Sequence, residues 1–301
     1  MKQSADKPLV SIIMNCFNGE RYLQRALESI IKQTYSNWEL IFWDNQSTDN
    51  SKKIFESFKE NRFKYYYSPK YFSKLYEARN YAISKTNGEY VAFLDVDDLW
   101  TPNKLESQIP LFKDKDVALV FGNFWILDER LGKKNIKKFE KKKFETGFIL
   151  KNLLKNYYIG ILTAVVRKSV INKMEGFNNN FHIIGDFDLF VRISFSWKIN
   201  CVQEPLAYYR IHSSNESINH FYNQTKELKN WCKTIKDKLP INDKDLTDLK
   251  YEIELRDVKE QFNNKKFFKV IKFFLKNLPT KKSIKLLITL IIPIKILNIL
   301  K

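Results

Sequence analysis

The chain has 301 residues and carries 52 Lys and Arg against 34 Asp and Glu, a formal charge of +18. Its hydrophobic content of 44%, with 15% aromatic, is enough for a real core and excludes wholesale disorder, while 8 Gly and 8 Pro exclude collagen-like or linker-rich designs. Cys16, Cys201 and Cys232 are far apart with no C-x-x-C, which argues against a disulfide framework or a zinc site and fits a reducing cytosol; each reads as a buried small hydrophobe.

The opening MKQSADKPLVSIIMNCF is not patterned as a signal peptide, because its apolar run Leu9–Met14 contains Ser11 and ends at Asn15. No stretch reaches the roughly 20 apolar residues that span a bilayer, so the expected place is the cytoplasmic side. In chain order, Val10–Met14 reads as a buried strand and Glu20–Gln33 as a helix with Tyr22, Leu23, Ala26, Leu27, Ile30 and Ile31 on one face. Strand Trp38–Trp43, helix Thr48–Phe58, strand Phe63–Tyr67, helix Tyr76–Lys85 and strand Tyr90–Leu94 follow. Lys104–Phe112 reads as a helix and Val117–Phe121 as a strand. Further on, Ile149–Leu154 is helical in pattern and Ile161–Arg167 strand-like. Lys168–Met174 is a short helix closed by Gly176, and Phe187–Phe195 is helical. Cys201–Ile211 reads as a strand with a hairpin-like Pro205. This alternation predicts an α/β fold: a single Rossmann-like, mostly parallel sheet flanked by helices. A boundary near 216–222 separates it from a Lys-rich, helical C-terminal extension. The expected domains are thus 1–217 (a nucleotide half to about 125, an acceptor half from 126 to 217) and 218–301.

In such sheets ligands sit beyond the carboxyl ends of the strands. Strand one ends in Asn15-Cys16-Phe17-Asn18-Gly19, strand two in Asp44-Asn45-Gln46-Ser47-Thr48-Asp49, and strand four in Asp95-Val96-Asp97-Asp98. None is a phosphate-cradling glycine loop, which argues against a dinucleotide oxidoreductase or a P-loop NTPase. Ser47, Thr48 and Asp49 read first as caps of the following helix, and Asp44 at the strand tip as a ligand contact. Asp95 and Asp97 are two apart, so an extended backbone points both the same way. Two hard oxygens on one side suit Mg²⁺ or Mn²⁺ bridging a diphosphate; a solvated turn with Asp98 as a cap suits the spacing equally well.

Three blocks taken together resemble the family 2 glycosyltransferases of the GT-A fold. They are "VSIIMNCFNGERYLQRALESIIKQTYSNWELIFWDNQSTDNS", "EARNYAISKTNGEYVAFLDVDDLWTPNKLESQ" and "FNNNFHIIGDFDLFVRISFSWKINCVQEPLAYYRIHSSNES", in order from about residue 8 to 217. The resemblance implies an inverting, metal-dependent transfer of sugar from a nucleotide-diphospho-sugar, most often UDP-linked, to an acceptor hydroxyl. It implies a lipid-linked or surface-glycan acceptor, as in lipopolysaccharide, capsule or exopolysaccharide assembly. It places Asn15, Asp44, Arg79 and Asp95 at the nucleotide-sugar, Asp97, Asp95 and His212 at the metal (Mn²⁺ or Mg²⁺), and Asp186 as catalytic base. This chain departs from the usual pattern at Asn15-Cys16, at Asn45-Gln46, at Lys74 where a glycine is common, and at Gly185 where a glutamate usually precedes the base.

Residues 261–301 hold ten lysines and no acid, and 133–143 hold seven lysines and one glutamate. Such bias suggests polyanions. In the tail, lysines alternate with paired aromatics, and the uncharged run Leu286–Ile294 is nine residues long. That suits a helix lying on an anionic leaflet, and so a peripheral place on the inner face of the cell membrane; a helix packed on the core is the other reading. Nucleic acid is not expected, since no binding motif for it is present. Two competing readings stay open. A nucleotidyltransferase would want a Gly/Lys-rich phosphate loop after strand one, and a degenerate membrane-binding scaffold would bind no donor.

Overall fold

The computed structural model describes residues 7–130, 135–140, 142–215 and 221–263. The chain divides into two compact units. One comprises Met1–Leu153 with Tyr157–Asn219, the other Leu154–Asn156 with His220–Lys301.

The larger unit is built on β1 (Val10–Cys16), β2 (Trp38–Asp44), β3 (Phe63–Tyr67), β4 (Tyr90–Phe93), β5 (Leu99–Trp100), β6 (Val117–Asp128), β7 (Asn135–Lys138), β8 (Val165–Arg167) and β9 (Lys198–Ile211). Its helices are α1 (Glu20–Ile31), α2 (Ser51–Ser57), α3 (Leu75–Ile83), α4 (Lys104–Gln108), α5 (Leu150–Lys155, whose last two residues belong to the other unit), α6 (Lys168–Lys173) and α7 (Gly185–Ser196). The sheet order is β3-β2-β1-β4-β8-β6-β9-β5, with β7 on β6. β3, β2, β1 and β4 run parallel; β8 is antiparallel to β4 and β6, and β9 returns parallel to β6. β1 and β2 are buried along their whole length, because helices cover both faces. Alternation along each strand sorts the side chains into two cores. Ile13, Ile41, Val91 and Phe93 meet α3, α6 and α7 on one face; Val10, Ile12, Met14, Leu40, Phe42 and Ala92 meet α1 and α4 on the other.

The GT-A architecture expected from the sequence is present, with local differences. The Lys104–Phe112 helix is α only to Gln108 and continues as a 3₁₀ turn, Ile109–Lys113, because Pro110 has no N–H to donate to the α ladder. Ile161–Arg167 is not one strand. Thr163 bonds back through Oγ1 to the Gly160 carbonyl at 2.8 Å, closing a 3₁₀ turn, and only Val165–Arg167 joins the sheet. Pro205 makes no hairpin: β9 runs unbroken, and Pro205 lies opposite Asn123 at an irregularity of the β6–β9 register, where a missing N–H is tolerated. β5 has no counterpart among the expected elements. Within the 133–143 lysine cluster, Asn135–Lys138 forms β7.

The smaller unit contains α8 (Phe221–Thr234) and α9 (Thr247–Asn263), with Leu228, Trp231, Ile253 and Val258 buried. An ion pair joins Lys229 to Asp257, and Arg256 donates to Gln224 at 2.6 Å. No helix among the described residues is long and apolar enough to cross a membrane. The tail expected to dock on a membrane, residues 261–301, lies almost wholly outside the described residues.

Candidate active site

The carboxyl ends of β1, β2 and β4 form a polar rim. Cys16 pairs in register with Asp44, and Asn15 with Trp43. Asp44 is buried; its Oδ1 accepts the Ser47 N–H at 2.7 Å and its Oδ2 the Tyr65 hydroxyl at 2.6 Å. Asn15 is 9% exposed, yet neither its amide oxygen nor its nitrogen has a hydrogen-bond partner among the described residues. A buried amide left so costs about 1–3 kcal/mol, which a ligand at the rim would offset. The loops behind β1 and β2 hold one another. Asp49 accepts the Glu20 N–H through Oδ2 and the Ser51 N–H through Oδ1, each at 2.9 Å, joining the starts of α1 and α2. Asn18, at φ 53°, accepts the Thr48 N–H at 2.8 Å; asparagine adopts this left-handed backbone more readily than most residues. Ser47, Thr48 and Asp49 therefore serve loop geometry.

Beyond β4 the three aspartates separate by partner. Asp95 forms an ion pair with Arg79, which α3 holds fully buried with its guanidinium 5.2 Å from the Tyr76 ring. Arg79 thus positions Asp95; Glu77 and Glu89 pair elsewhere, with Lys70 and Arg167. Asp97 meets the segment that follows β9: its Oδ2 lies 2.9 Å from His212 Nε2 and 3.4 Å from Asn215 Nδ2. Asp98 accepts the Arg210 N–H at 2.9 Å, and burial, then the charges of Asp97 and Asp95, push its carboxyl well above the usual range. Arg210 also donates through Nε to the Asp97 carbonyl at 2.8 Å and pairs with Glu129, so β9 and the acidic turn are laced together. His212 stacks on Tyr22 of α1 at 5.0 Å, and the Tyr22 hydroxyl is buried with no partner among the described residues.

This donor set fits a divalent cation. Adjacent octahedral ligands about 2.1 Å from a metal lie about 3 Å apart, close to the Asp97–His212 spacing. His212 Nδ1 is 2.9 Å from Ser214 Oγ, the kind of outer contact that orients a ligating imidazole. Asp95, tied to Arg79, stands outside this pair. Among the described residues no group of three His, Cys, Asp or Glu side chains is close enough to hold a metal by itself. Phosphate oxygens and water would complete the shell.

Asp186 lies apart from these acids, in the first turn of α7. Its Oδ1 accepts the Tyr76 hydroxyl at 2.9 Å and its Oδ2 the Tyr157 hydroxyl at 3.2 Å. Burial raises its carboxyl above the ordinary value, against the lowering effect of the hydroxyl donors, the Phe187 N–H and the Arg79 charge. Asp188, one of the two acids of that turn, is buried and taken up by Arg192, at 2.8 Å. The structure therefore gathers the expected residues into four places: Asn15 and Asp44 at the β1–β2 tips, Asp95 with Arg79, Asp97 with His212, and Asp186 with Tyr76 and Tyr157. Tyr22, Tyr76, Tyr157, Arg210 and Asn215 had not been expected. Tyr22 reads as a position on the apolar face of a helix, and Tyr76 and Arg210 meet Asp186 and Asp98 more than 100 residues away in sequence.

Comparison with known proteins places these groups in context. The sequence model described as "Glycosyl transferase family 2" matches residues 11–174. The chain is 34% identical over 226 residues to the Escherichia coli UDP-Glc:alpha-D-GlcNAc-diphosphoundecaprenol beta-1,3-glucosyltransferase WfgD, covering 74% of this chain and 84% of that protein. In structure it resembles residues 1–349 of S. aureus TarS in complex with UDP, at TM-score 0.58 and 18% identity, over 72% of this chain and 63% of that one. It also resembles the mannosyltransferase PcManGT from Pyrobaculum calidifontis in complex with GDP-Man and Mn²⁺, at TM-score 0.59 and 15% identity, over 77% and 65%. The chain thus spans slightly under two thirds of either solved structure.

Proposed function

Since this chain belongs to glycosyl transferase family 2 and is a glycosyltransferase of GT-A fold, we propose that it transfers a sugar, with inversion, from a UDP-sugar to a hydroxyl of a lipid-diphosphate-linked saccharide. The observation that carries the reaction type is Asp186. Its oxygens are held by neutral hydroxyls and burial raises its proton affinity, the setting of a general base. As the acceptor oxygen bonds to the anomeric carbon, its proton passes to Asp186. The bond from that carbon to the diphosphate breaks, and the nucleoside diphosphate leaves with the electron pair. Asp97 and His212 would hold a Mn²⁺ or Mg²⁺ ion, whose charge would offset that of the departing diphosphate. Arg79 fixes Asp95 at the nucleotide-sugar, and Asn15 and Asp44 line the nucleotide end. UDP and the lipid-linked acceptor rest on the likeness to WfgD, whose name states both.

A cytoplasmic place at the membrane surface accords with such an acceptor and with the ten lysines of 261–301. Truncation after about residue 260 is expected to move the protein from membrane pellet to supernatant; unchanged sedimentation refutes the anchor. Thermal shift with UDP-Glc and with GDP-, dTDP- and CMP-sugars, with and without Mn²⁺, tests the donor reading. A Mn²⁺-dependent rise with a UDP-sugar is expected. No shift with any donor refutes the proposal and favours the degenerate scaffold.

A further inference from the structure

Asp186 is reached from two directions by hydroxyls that no charge neutralises. Tyr76 comes from α3, its ring packed on Phe177 at 4.9 Å and under the Arg79 guanidinium. Tyr157 follows α5, its ring edge-on to Phe187 at 5.1 Å. Each ring is thus held by packing, and each hydroxyl meets a different carboxylate oxygen. The residue before the base completes the arrangement. A Cβ on Gly185 would lie 2.4 Å from both Cγ and Cδ2 of the Tyr76 ring, far inside contact distance and against a rigid ring rather than a flexible chain end. Only a residue without a side chain leaves the ring where it is. A glutamate here, whose Cβ would meet the ring first, is sterically incompatible with Tyr76 as placed.

We propose that Tyr76 and Tyr157 are positioning residues that clamp the Asp186 carboxylate through its two oxygens, and that Gly185 is required because the Tyr76 ring fills the space of any side chain there. The role rests on Asp186 being the base. The clamp fixes the carboxylate plane, so that the lone pair taking the acceptor proton has one direction. α3 then ties the two halves of the reaction together, since Tyr76 holds the base while Arg79, one turn on, holds Asp95.

The hydroxyls donate to the charged form of Asp186, so removing one favours the protonated form and moves its titration upward. The other groups acting on it are Arg79 from α3 and, on α7, the Phe187 N–H; both remain in the variants. The test is ¹³C NMR titration of the Asp186 carboxyl in full-length protein, its signal assigned by loss in Asp186→Asn. Alongside it, the pH profile of transfer is measured with the donor giving the largest thermal shift. Tyr76→Phe is expected to raise the midpoint and the acid limb of kcat/KM together, by about one pH unit. Donor KM should not change, and activity should recover at higher pH. Tyr157→Phe, losing the longer bond, should shift both by less. Gly185→Ala should act like Tyr76→Phe, and combining the two should add little, since the second change finds the bond already gone. A merely structural tyrosine would lower stability without moving the limb. Midpoint and limb unmoved in both Phe variants overturn the clamp, as does full additivity of Gly185→Ala with Tyr76→Phe. Asp186→Asn separates the two readings. If it transfers normally, the base fails and this role with it; if it is inactive while the Phe limbs do not move, the base stands and the clamp fails.

Discussion

The turn after β4 and the first turn of α7 each present a carboxylate to the candidate site, and they surround it in opposite ways. Asp97 lies against an imidazole and an amide, next to the buried Asp98, whose carboxyl burial and then the charges of Asp97 and Asp95 push up. Asp186 is met by two phenolic hydroxyls and by no ion-pair partner among the described residues. Crowded acids with an imidazole nitrogen beside them favour a cation. An acid raised by burial and held by neutral donors favours a proton. The chemistry of a carboxylate is therefore set by its neighbours, and one fold supplies both kinds.

The most complete break in this contrast is Asp97→Ala. Donor at 100 times its Kd stabilises the native state by about 2.7 kcal/mol, and this variant should lose that Mn²⁺-dependent gain entirely in a thermal-shift assay. A retained gain would move the cation elsewhere. Next comes the Arg79–Asp95 pair, where the partners are unequally buried: the Arg79 side chain is 2% exposed and that of Asp95 34%. Asp95→Asn strands a buried guanidinium and should cost about 3 kcal/mol by chemical denaturation. Arg79→Met leaves a carboxylate that water screens and should cost about 1 kcal/mol. Equal losses would mean that the pair is not buried asymmetrically.

Glu39, at the start of β2, sharpens the contrast as a carboxylate committed to structure. Burial alone would raise it, but Lys64, the Ser11 hydroxyl and the N–H and amide of Asn87 outweigh burial and hold it down to about 2. A depressed carboxyl contributes stability that is present above its unfolded value, 4.5, and lost as pH falls toward 2. Glu39→Gln should therefore flatten acid unfolding in that window, by roughly 2 kcal/mol, and leave the transfer profile near neutrality unchanged. An altered neutral profile would tie Glu39 to the site.

The parallel half was legible because its strands are continuous apolar runs and its helices keep one apolar stripe, as α1 does with Leu23, Ala26, Leu27 and Ile30. Beyond Phe121 the rules blur. β6 runs on to Asp128 through polar Asn123, β9 absorbs Pro205 at a register irregularity, and Thr163 diverts its backbone into a turn. At the site, spacing alone left Asp95 and Asp97 divided between a metal pair and a wet turn. Only the three family blocks singled out Asp186 and His212. The tyrosines around them stayed hidden, since on a helix face Tyr76 looks like core, and it is core; what its hydroxyl does is decided by a residue 110 positions away.

The most direct test of the account is transfer by Asp186→Asn beside wild type, with donor binding followed by thermal shift in the same samples. The amide keeps the shape and loses the base, so Mn²⁺-dependent donor binding should persist while transfer falls by at least about 100-fold. Transfer at the wild-type rate would contradict the assignment of Asp186 as the base.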